Sequence, residues 1–358
     1  MDSLNLPVLT QLKVRHFRCF DTLECEFAPR TNFIIGPNAQ GKTSLLEAAC
    51  VLIRLQTPRG ATLTRAIQHG KTGFVLDGYF GERHLQFYFS QQRKKLALDS
   101  VEQKSAHEYL ETAKAVWFSN QDIELVQGAA DKRRKFLDFV AVQLDRGYRR
   151  HLRDYEKALR SRNYLLKTSR PNWREIEAFN QPLIQAGNGL ISARALLIEK
   201  LIPFALESQR IISGLTETLN LEYQQSVPGD FAVTLAESRE EDLRLHQTSK
   251  GPHRDDLGFS LNGVGSEFAS EGQQRSMVLS LKLAQARLIE SQAGVSPVLF
   301  LDDIFGELDV HRRNALLEHL PSDSQKLITT THLDWLDQRP EGALFSMNQG
   351  TIQPVSNL

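Results

Sequence analysis

No stretch of this chain approaches the ~20 apolar residues of a membrane-spanning helix, and its start, Met1-Asp2-Ser3-Leu4-Asn5-Leu6-Pro7, lacks the basic and apolar regions of a signal peptide. Cysteine is scarce. Cys19, Cys25 and Cys50 show no C-x-x-C spacing and are odd in number, which argues against a zinc site or a disulfide framework and implies a reducing, cytoplasmic compartment. Net charge is missing too. The 43 Lys and Arg balance 43 Asp and Glu, so any contact with nucleic acid needs a local basic patch. Fixed-period repeats and low-complexity tracts are absent. What remains is 358 residues, 41% of them hydrophobic, enough for an ordinary core in two domains or in one large domain with an insertion.

The segment Gly36-Pro37-Asn38-Ala39-Gln40-Gly41-Lys42-Thr43 fits the phosphate-loop pattern G-x-x-x-x-G-K-[ST]. Apolar Phe33-Ile34-Ile35 precedes it as a buried strand, and Ser44-Leu45-Leu46-Glu47-Ala48-Ala49 follows it as a helix. On such a strand-loop-helix unit the glycines let backbone N–H groups curl around phosphates, and the helix N-terminus adds partial positive charge. Lys42 then reaches the β- and γ-phosphates and Thr43 ligates Mg²⁺. The expectation is a nucleoside-triphosphate site.

Three further pieces lie far downstream. Pro297-Val298-Leu299-Phe300-Leu301-Asp302-Asp303 reads as an apolar strand ending in two acids, with Asp302 placed to hold Mg²⁺ through water and Asp303 to polarise an attacking water. Glu307-Leu308-Asp309 follows a turn at Gly306, and Leu327-Ile328-Thr329-Thr330-Thr331-His332 is a second strand with a His at its end. Ahead of them Ser270-Glu271-Gly272-Gln273-Gln274-Arg275 opens a helical stretch through Glu290. This order is similar to the layout of ATP-binding-cassette ATPases. Ser270 cannot easily reach the phosphate loop of its own chain in that layout, so the resemblance implies that two chains sandwich two ATP molecules. Each signature helix tip then serves as an anion site for its twin, and hydrolysis is a phosphoryl transfer to water.

Along the chain, strand-like text covers Gln11 to Phe17, Leu23 to Phe27, Phe33 to Ile35, Phe74 to Tyr79, Leu85 to Ser90 and Ala115 to Phe118. Beyond Gly128, Phe136, Val140, Leu144, Tyr148, Leu152, Tyr155 and Leu159 recur by fours and threes, which predicts one long helix. A second helical region runs from Trp173 toward Gly214, with Pro182 and Gly187-Asn188-Gly189 expected to kink or interrupt it. Strands resume from about Phe231, and Asn262-Gly263 after Leu257 to Leu261 predicts a hairpin turn. The fold class is therefore α/β. Residues 1–122 and 231–358 are expected to form the two parts of an ABC-type ATPase head, which the family resemblance given below implies to be Rad50-like, with 123–230 an inserted basic helical lobe, a short arm. Between Asp131 and Arg174 fourteen Lys and Arg face five Asp and Glu. Arg146, Arg150, Arg153, Lys157 and Arg160 fall off the apolar face, and with Lys132, Arg133 and Arg134 they form the candidate DNA-binding surface.

Specific runs carry a closer resemblance over nearly the whole chain: Leu12-Lys13-Val14-Arg15-His16-Phe17-Arg18, Gly41-Lys42-Thr43-Ser44-Leu45-Leu46-Glu47, Leu125-Val126-Gln127-Gly128, Arg133-Arg134-Lys135-Phe136-Leu137-Asp138, Arg162-Asn163-Tyr164-Leu165-Leu166-Lys167 and, most diagnostic, Gly251-Pro252-His253-Arg254-Asp255-Asp256. In these runs the chain resembles the RecF family of bacterial recombination and gap-repair ATPases, in the Rad50/SMC branch. The resemblance implies ATP and Mg²⁺ as cofactors, ATP-dependent homodimers on double-stranded DNA and at single-strand/double-strand junctions, slow DNA-stimulated hydrolysis, and cooperation with RecR and RecO to place RecA. It implies nucleotide contacts for Gly36, Asn38, Gly41, Lys42, Thr43 and Ser44, and contacts from Ser270, Gly272 and Gln273 to the opposite subunit's ATP. Asp302 and Thr43 go to Mg²⁺, Asp303 to the attacking water, His332 to the γ-phosphate and Asp309 to the dimer interface. Gln121, rather than Gln127, completes the Mg²⁺ shell, and Arg59 is a weaker candidate for a nucleotide or DNA contact. Asp303 departs from the Glu of most cassette ATPases; a shorter acid sits further from the water, so turnover is expected to be slow. The alternative is a cassette subunit of a membrane transporter, which predicts a compact docking insert rather than a basic helix. A Rad50-type tether is disfavoured because roughly 110 to 120 residues at ~1.5 Å per residue make only a short arm. A nuclease of the overcoming-lysogenisation type would need an acidic metal domain for which no segment remains.

Overall fold

The computed structural model describes residues 7–58, 62–214, 217–336 and 342–355. They fall into two compact units, Met1–Asp122 with Ile211–Ser213 and Val278–Leu358, and Ile123–Arg210 with Gly214–Met277. The chain returns to the first unit after Met277, not at the expected 230/231 boundary. Among the described residues the strands Leu219–Gln224, Asp256–Leu261 and Val264–Gly265 pair only with one another, in a three-stranded sheet of the second unit.

In the first unit the central sheet runs, edge to edge, Thr351–Pro354, Ala343–Asn348, Thr31–Ile35, Lys326–Thr330, Val298–Asp302 and Ala115–Ser119. All but the Thr351–Pro354 edge are parallel. Runs such as Val298-Leu299-Phe300-Leu301 and Ala115-Val116-Trp117-Phe118 are buried throughout, as a parallel sheet covered on both faces requires. The helix Lys42–Arg54 packs on this sheet, with Leu45, Leu46, Ala48 and Ala49 buried. A second, antiparallel sheet has the order Phe20–Glu26, Leu9–Phe17, Gly73–Phe80, Arg83–Ser90, Lys94–Leu98 and Val101–Glu102. Its strands alternate buried and open residues, and Phe74 meets Phe17 and Phe87 edge-on at 5.0 and 5.6 Å.

The second unit departs from its periodicity in three places. The single long helix expected from Phe136 to Leu159 is two, Ala130–Leu144 and Tyr148–Leu166. Between them Asp145 Oδ1 accepts the N–H of Gly147 at 2.7 Å, a local bond that competes with the helical ladder. Conversely, Asn180–Ser213 is one uninterrupted helix of 34 residues. Pro182 sits in its first turn, where a missing N–H costs nothing. Gly187 and Gly189 serve close packing instead of breaking the helix. A Cβ at Gly187 would lie 2.5 Å from the Phe231 ring and one at Gly189 2.7 Å from the His151 ring. Finally, Phe231 opens the helix Phe231–Glu237, followed by Arg239–Leu245, where strands were expected. Asp230 caps it by accepting the N–H groups of Ala232 and Val233. The Asn262-Gly263 turn stands as expected, with both residues at positive φ.

Candidate functional site

The phosphate loop lies where the sheet strand Thr31–Ile35 hands over to the helix Lys42–Arg54. Gly41 takes φ 107° at the helix N-cap, a left-handed conformation that leaves the first-turn N–H groups open toward the loop. Lys42, 6% exposed, folds along the loop, donating through Nζ to the carbonyls of Gly36 at 2.6 Å and Pro37 at 2.8 Å. Burial pulls its pKa down, opposed by Asp303 and Asp302. Asn38 is exposed at the crest of the loop, and Ser44 stands in the first helical turn. Gln40 ties the loop to the hairpin of the sheet edge, its Oε1 accepting Gln349 N–H at 2.6 Å.

Parallel pairing brings the acids here. Asp302, last residue of Val298–Asp302, lies level with Thr329, and its Oδ1 accepts hydrogen bonds from Thr43 Oγ1 at 2.8 Å and Thr329 Oγ1 at 2.9 Å. Thr43 and Asp302 thus present two hard oxygens side by side at the phosphate loop, a donor set suited to Mg²⁺, which prefers one or two protein oxygens plus phosphate and water. Among the described residues no cluster of three His, Cys, Asp or Glu would hold a metal independently of a substrate. Asp303 sits at φ 53°, held by its N–H to Thr329 Oγ1 at 3.1 Å and by Asn120 Nδ2 donating to its carbonyl at 3.0 Å. Burial raises the Asp303 carboxyl above its ordinary value. Lys42 opposes the rise and Glu307 adds to it, with His332 a smaller lowering influence. Ser119 is level with Asp302, so Gln121, two residues on, stands at the acidic end of the same sheet. Gln127 belongs to the other unit and donates to Gln274 at 2.7 Å. Exposed His332 follows the strand Lys326–Thr330. Asp309 caps the helix Val310–His319 by accepting Arg312 N–H at 2.9 Å, while Val310 beside it is 58% exposed. Arg59 lies outside the described residues.

In the second unit the signature opens the helix Glu271–Ala293 with a reciprocal capping box. Ser270 Oγ accepts Gln273 N–H at 3.3 Å, and Gln273 Oε1 accepts Ser270 N–H at 2.9 Å. Gly272 lies inside the first turn. The Gln273 amide is tethered as well, donating to Glu217 Oε1 at 2.9 Å, and Gln209 donates to the other Glu217 oxygen at 2.9 Å. Gln209 and Glu217 carry no sequence signal, since only the fold brings them to Ser270. Arg18 and Glu47 stand at the ends of two of the family-like runs, without a role assigned from sequence. They form a two-point ion pair at 2.9 and 2.7 Å that pins the turn after Leu9–Phe17 to the helix behind the phosphate loop.

The structure divides the basic residues expected to meet DNA. Arg133 turns inward, 12% exposed at its side chain, forking onto Asp256 at 2.6 and 2.8 Å and donating to the Gly128 carbonyl at 2.8 Å. Arg134 donates to the Asp255 carbonyl at 2.7 Å, and Lys132 pairs with Glu124. The Arg133-Arg134 part of the patch is therefore an internal brace, a correction to the sequence reading. Arg150, Arg153 and Lys157 stand exposed on Tyr148–Leu166, opposite its buried Tyr148, Tyr155, Ala158, Arg162 and Leu166. The run Gly251 to Asp256 is likewise structural. His253 Nε2 donates to the Thr248 carbonyl at 3.0 Å, so its Nδ1 accepts the Tyr155 hydroxyl at 2.6 Å, and Asp255 accepts Tyr223 Oη at 2.5 Å and Ser226 N–H at 2.9 Å.

The chain matches the RecF/RecN/SMC N-terminal domain family over residues 8–350. It is 37% identical to the DNA replication and repair protein RecF of Thermosynechococcus vestitus, across 98% of each chain. It is 35% identical to that of Streptococcus uberis, across 96% of this chain and 99% of the relative. Among solved structures it superposes with TM-score 0.88 and 30% identity on the recombination mediator protein RecF in its ATP-bound form, over 98% of both chains. The Smc head bound to the C-terminal winged-helix domain of ScpA shares the fold at TM-score 0.55 and 14% identity.

Proposed function

The chain belongs to the RecF family of DNA replication and repair proteins, and from that premise we propose that it is an ATP-operated DNA clamp of recombinational gap repair. Two copies close on two ATP molecules. The loop Gly36–Thr43 and Ser44 bind the phosphates of one, and Ser270, Gly272 and Gln273 of the other copy complete the site. Thr43 and Asp302, with Gln121, would hold a Mg²⁺ ion, which supplies charge neutralisation at the β- and γ-phosphates. Asp303 takes a proton from the attacking water, Lys42 offsets phosphate charge and His332 faces the γ-phosphate. Asp309 and the exposed Val310 lie in the contact between copies. Turnover is slow and stimulated by DNA, because the short Asp303 side chain is a more distant base than a Glu. The cations of Tyr148–Leu166 bind the duplex backbone and junctions, and RecR, RecO and RecA act beside the clamp.

One observation carries this reading: Thr43 and Asp302, 259 residues apart, meet at 2.8 Å on the phosphate loop. The relatives' role in DNA repair gives no support to the transporter-subunit alternative. Light scattering of Asp303→Asn protein tests the clamp. A dimer that forms with ATP and retains duplex DNA is the expected result, and a monomer indifferent to nucleotide would refute it.

A further inference from the structure

The loop placed between the two copies and the turn carrying His332 share one side chain that no sequence motif marks. Arg313, half-buried on the helix Val310–His319, donates from Nη2 to the Leu308 carbonyl at 2.9 Å and from Nη1 to the Trp335 carbonyl at 2.8 Å. Its own N–H donates to the Asp309 carbonyl at 3.0 Å. Arg313 therefore grips the interface loop by main chain and side chain together. Among the described residues no carboxylate pairs with its guanidinium, and its buried Nε has no acceptor. The charge is spent on main-chain carbonyls of two separate loops, where it strengthens both hydrogen bonds.

The connection runs on from Trp335 to His332. The indole is buried, stacks on Phe305 with ring centres 4.5 Å apart, and has the Arg313 guanidinium over it at 5.7 Å. Its Nε1–H donates to Thr330 Oγ1 at 3.2 Å, and that hydroxyl donates in turn to the His332 carbonyl at 2.8 Å. Leu308, Arg313, Trp335, Thr330 and His332 thus form a continuous path with a hydrogen bond at each step. Bracing the helix alone would need only the first. The path joins the residues beside Asp309 to the main chain that sets where the His332 ring stands.

Resting on the proposed clamp, we propose that Arg313 is a positioning residue that couples closure of the two copies to the placement of His332 at the γ-phosphate. Contact between copies fixes the loop around Leu308 and Asp309, Arg313 carries that constraint to Trp335, and Thr330 delivers it to the His332 main chain. The test is a double-mutant cycle on the full chain, with phosphate release measured at saturating ATP and at protein concentrations where light scattering shows the dimer. Arg313→Ala is expected to lower kcat roughly tenfold with KM for ATP changed by less than about twofold, and to have no further effect in a His332→Ala chain. Trp335→Phe keeps an aromatic ring on Phe305 and removes the indole N–H, so it should lower kcat by a smaller factor, again with no further effect in His332→Ala. That arm carries the test should Arg313→Ala not fold. A side chain that only braces the fold gives losses that multiply with that of His332→Ala. Multiplying losses, or a wild-type kcat in both variants, overturn the inference alone. If Asp303→Asn protein stays monomeric with ATP, the clamp reading fails, and the inference fails with it.

Discussion

Glu217 is the residue whose loss separates the signature's function from its mere folding. Its two carboxylate oxygens each accept one hydrogen bond at 2.9 Å, from Gln273 of the capping box and from Gln209, which is 0% exposed. Gln209 Oε1 already has no partner, so Glu217→Ala leaves a buried amide with neither end satisfied, at a cost of about 1–3 kcal/mol in stability. The same change loosens Gln273, which keeps only its bond from Ser270 N–H. Re-ordering one such side chain on association costs about 0.5–1.5 kcal/mol, and a symmetric dimer does so twice, which raises the dimer Kd by roughly five- to 150-fold. Urea unfolding followed by circular dichroism reads the first quantity. A dilution series in light scattering with ATP, on the Asp303→Asn background, reads the second. With the Gln209 amide flipped, the Glu217→Gln amide can donate to Gln209 Oε1 and still accept from Gln273, so that variant is expected to sit near wild type in both assays. Wild-type stability and a wild-type dimer Kd for Glu217→Ala would refute the reasoning.

Three further outcomes are expected. Because burial raises the Asp303 pKa, ATP turnover should fall on acidification at a higher pH than an ordinary carboxylate would give; phosphate release across pH shows this limb, and Asp303→Asn removes turnover altogether. In Gly36→Ala the new Cβ would lie 2.2 Å from the Met347 carbonyl oxygen, backbone that cannot yield without moving the adjoining strand, so binding of a fluorescent ATP analogue should drop by at least tenfold while the fold persists. Burial lowers the His253 pKa from 6.5 to about 4, so the unfolded chain binds a proton in that window and the folded chain does not. Stability is therefore full above pH 6.5 and falls by about 3 kcal/mol as pH drops toward 4. Urea midpoints at successive pH values measure the slope, and His253→Gln should flatten it.

The local sequence was sufficient for the phosphate loop, because Gly41, Lys42 and Thr43 act through backbone conformation and one helix terminus that neighbouring residues dictate. It was sufficient too for the buried parallel strands, whose unbroken apolar text has no other stable placement, and for the signature's start, where Ser270 and Gln273 satisfy one another across a single turn. Side chains whose partners come from distant chain were not legible. Arg133 and Arg134 look like solvent cations in sequence and become inward braces only when Asp255 and Asp256 arrive beside them. Gly187 and Gly189 look like helix breakers, yet the helix runs on because Phe231 and His151 pack against the missing Cβ atoms. The same holds for Glu217 behind the signature and for the return to the first unit at 277/278. Propensity and spacing fix what a few consecutive residues do, whereas the pairing of buried charges and the close approach of elements are set by which surfaces meet, and that is decided in three dimensions.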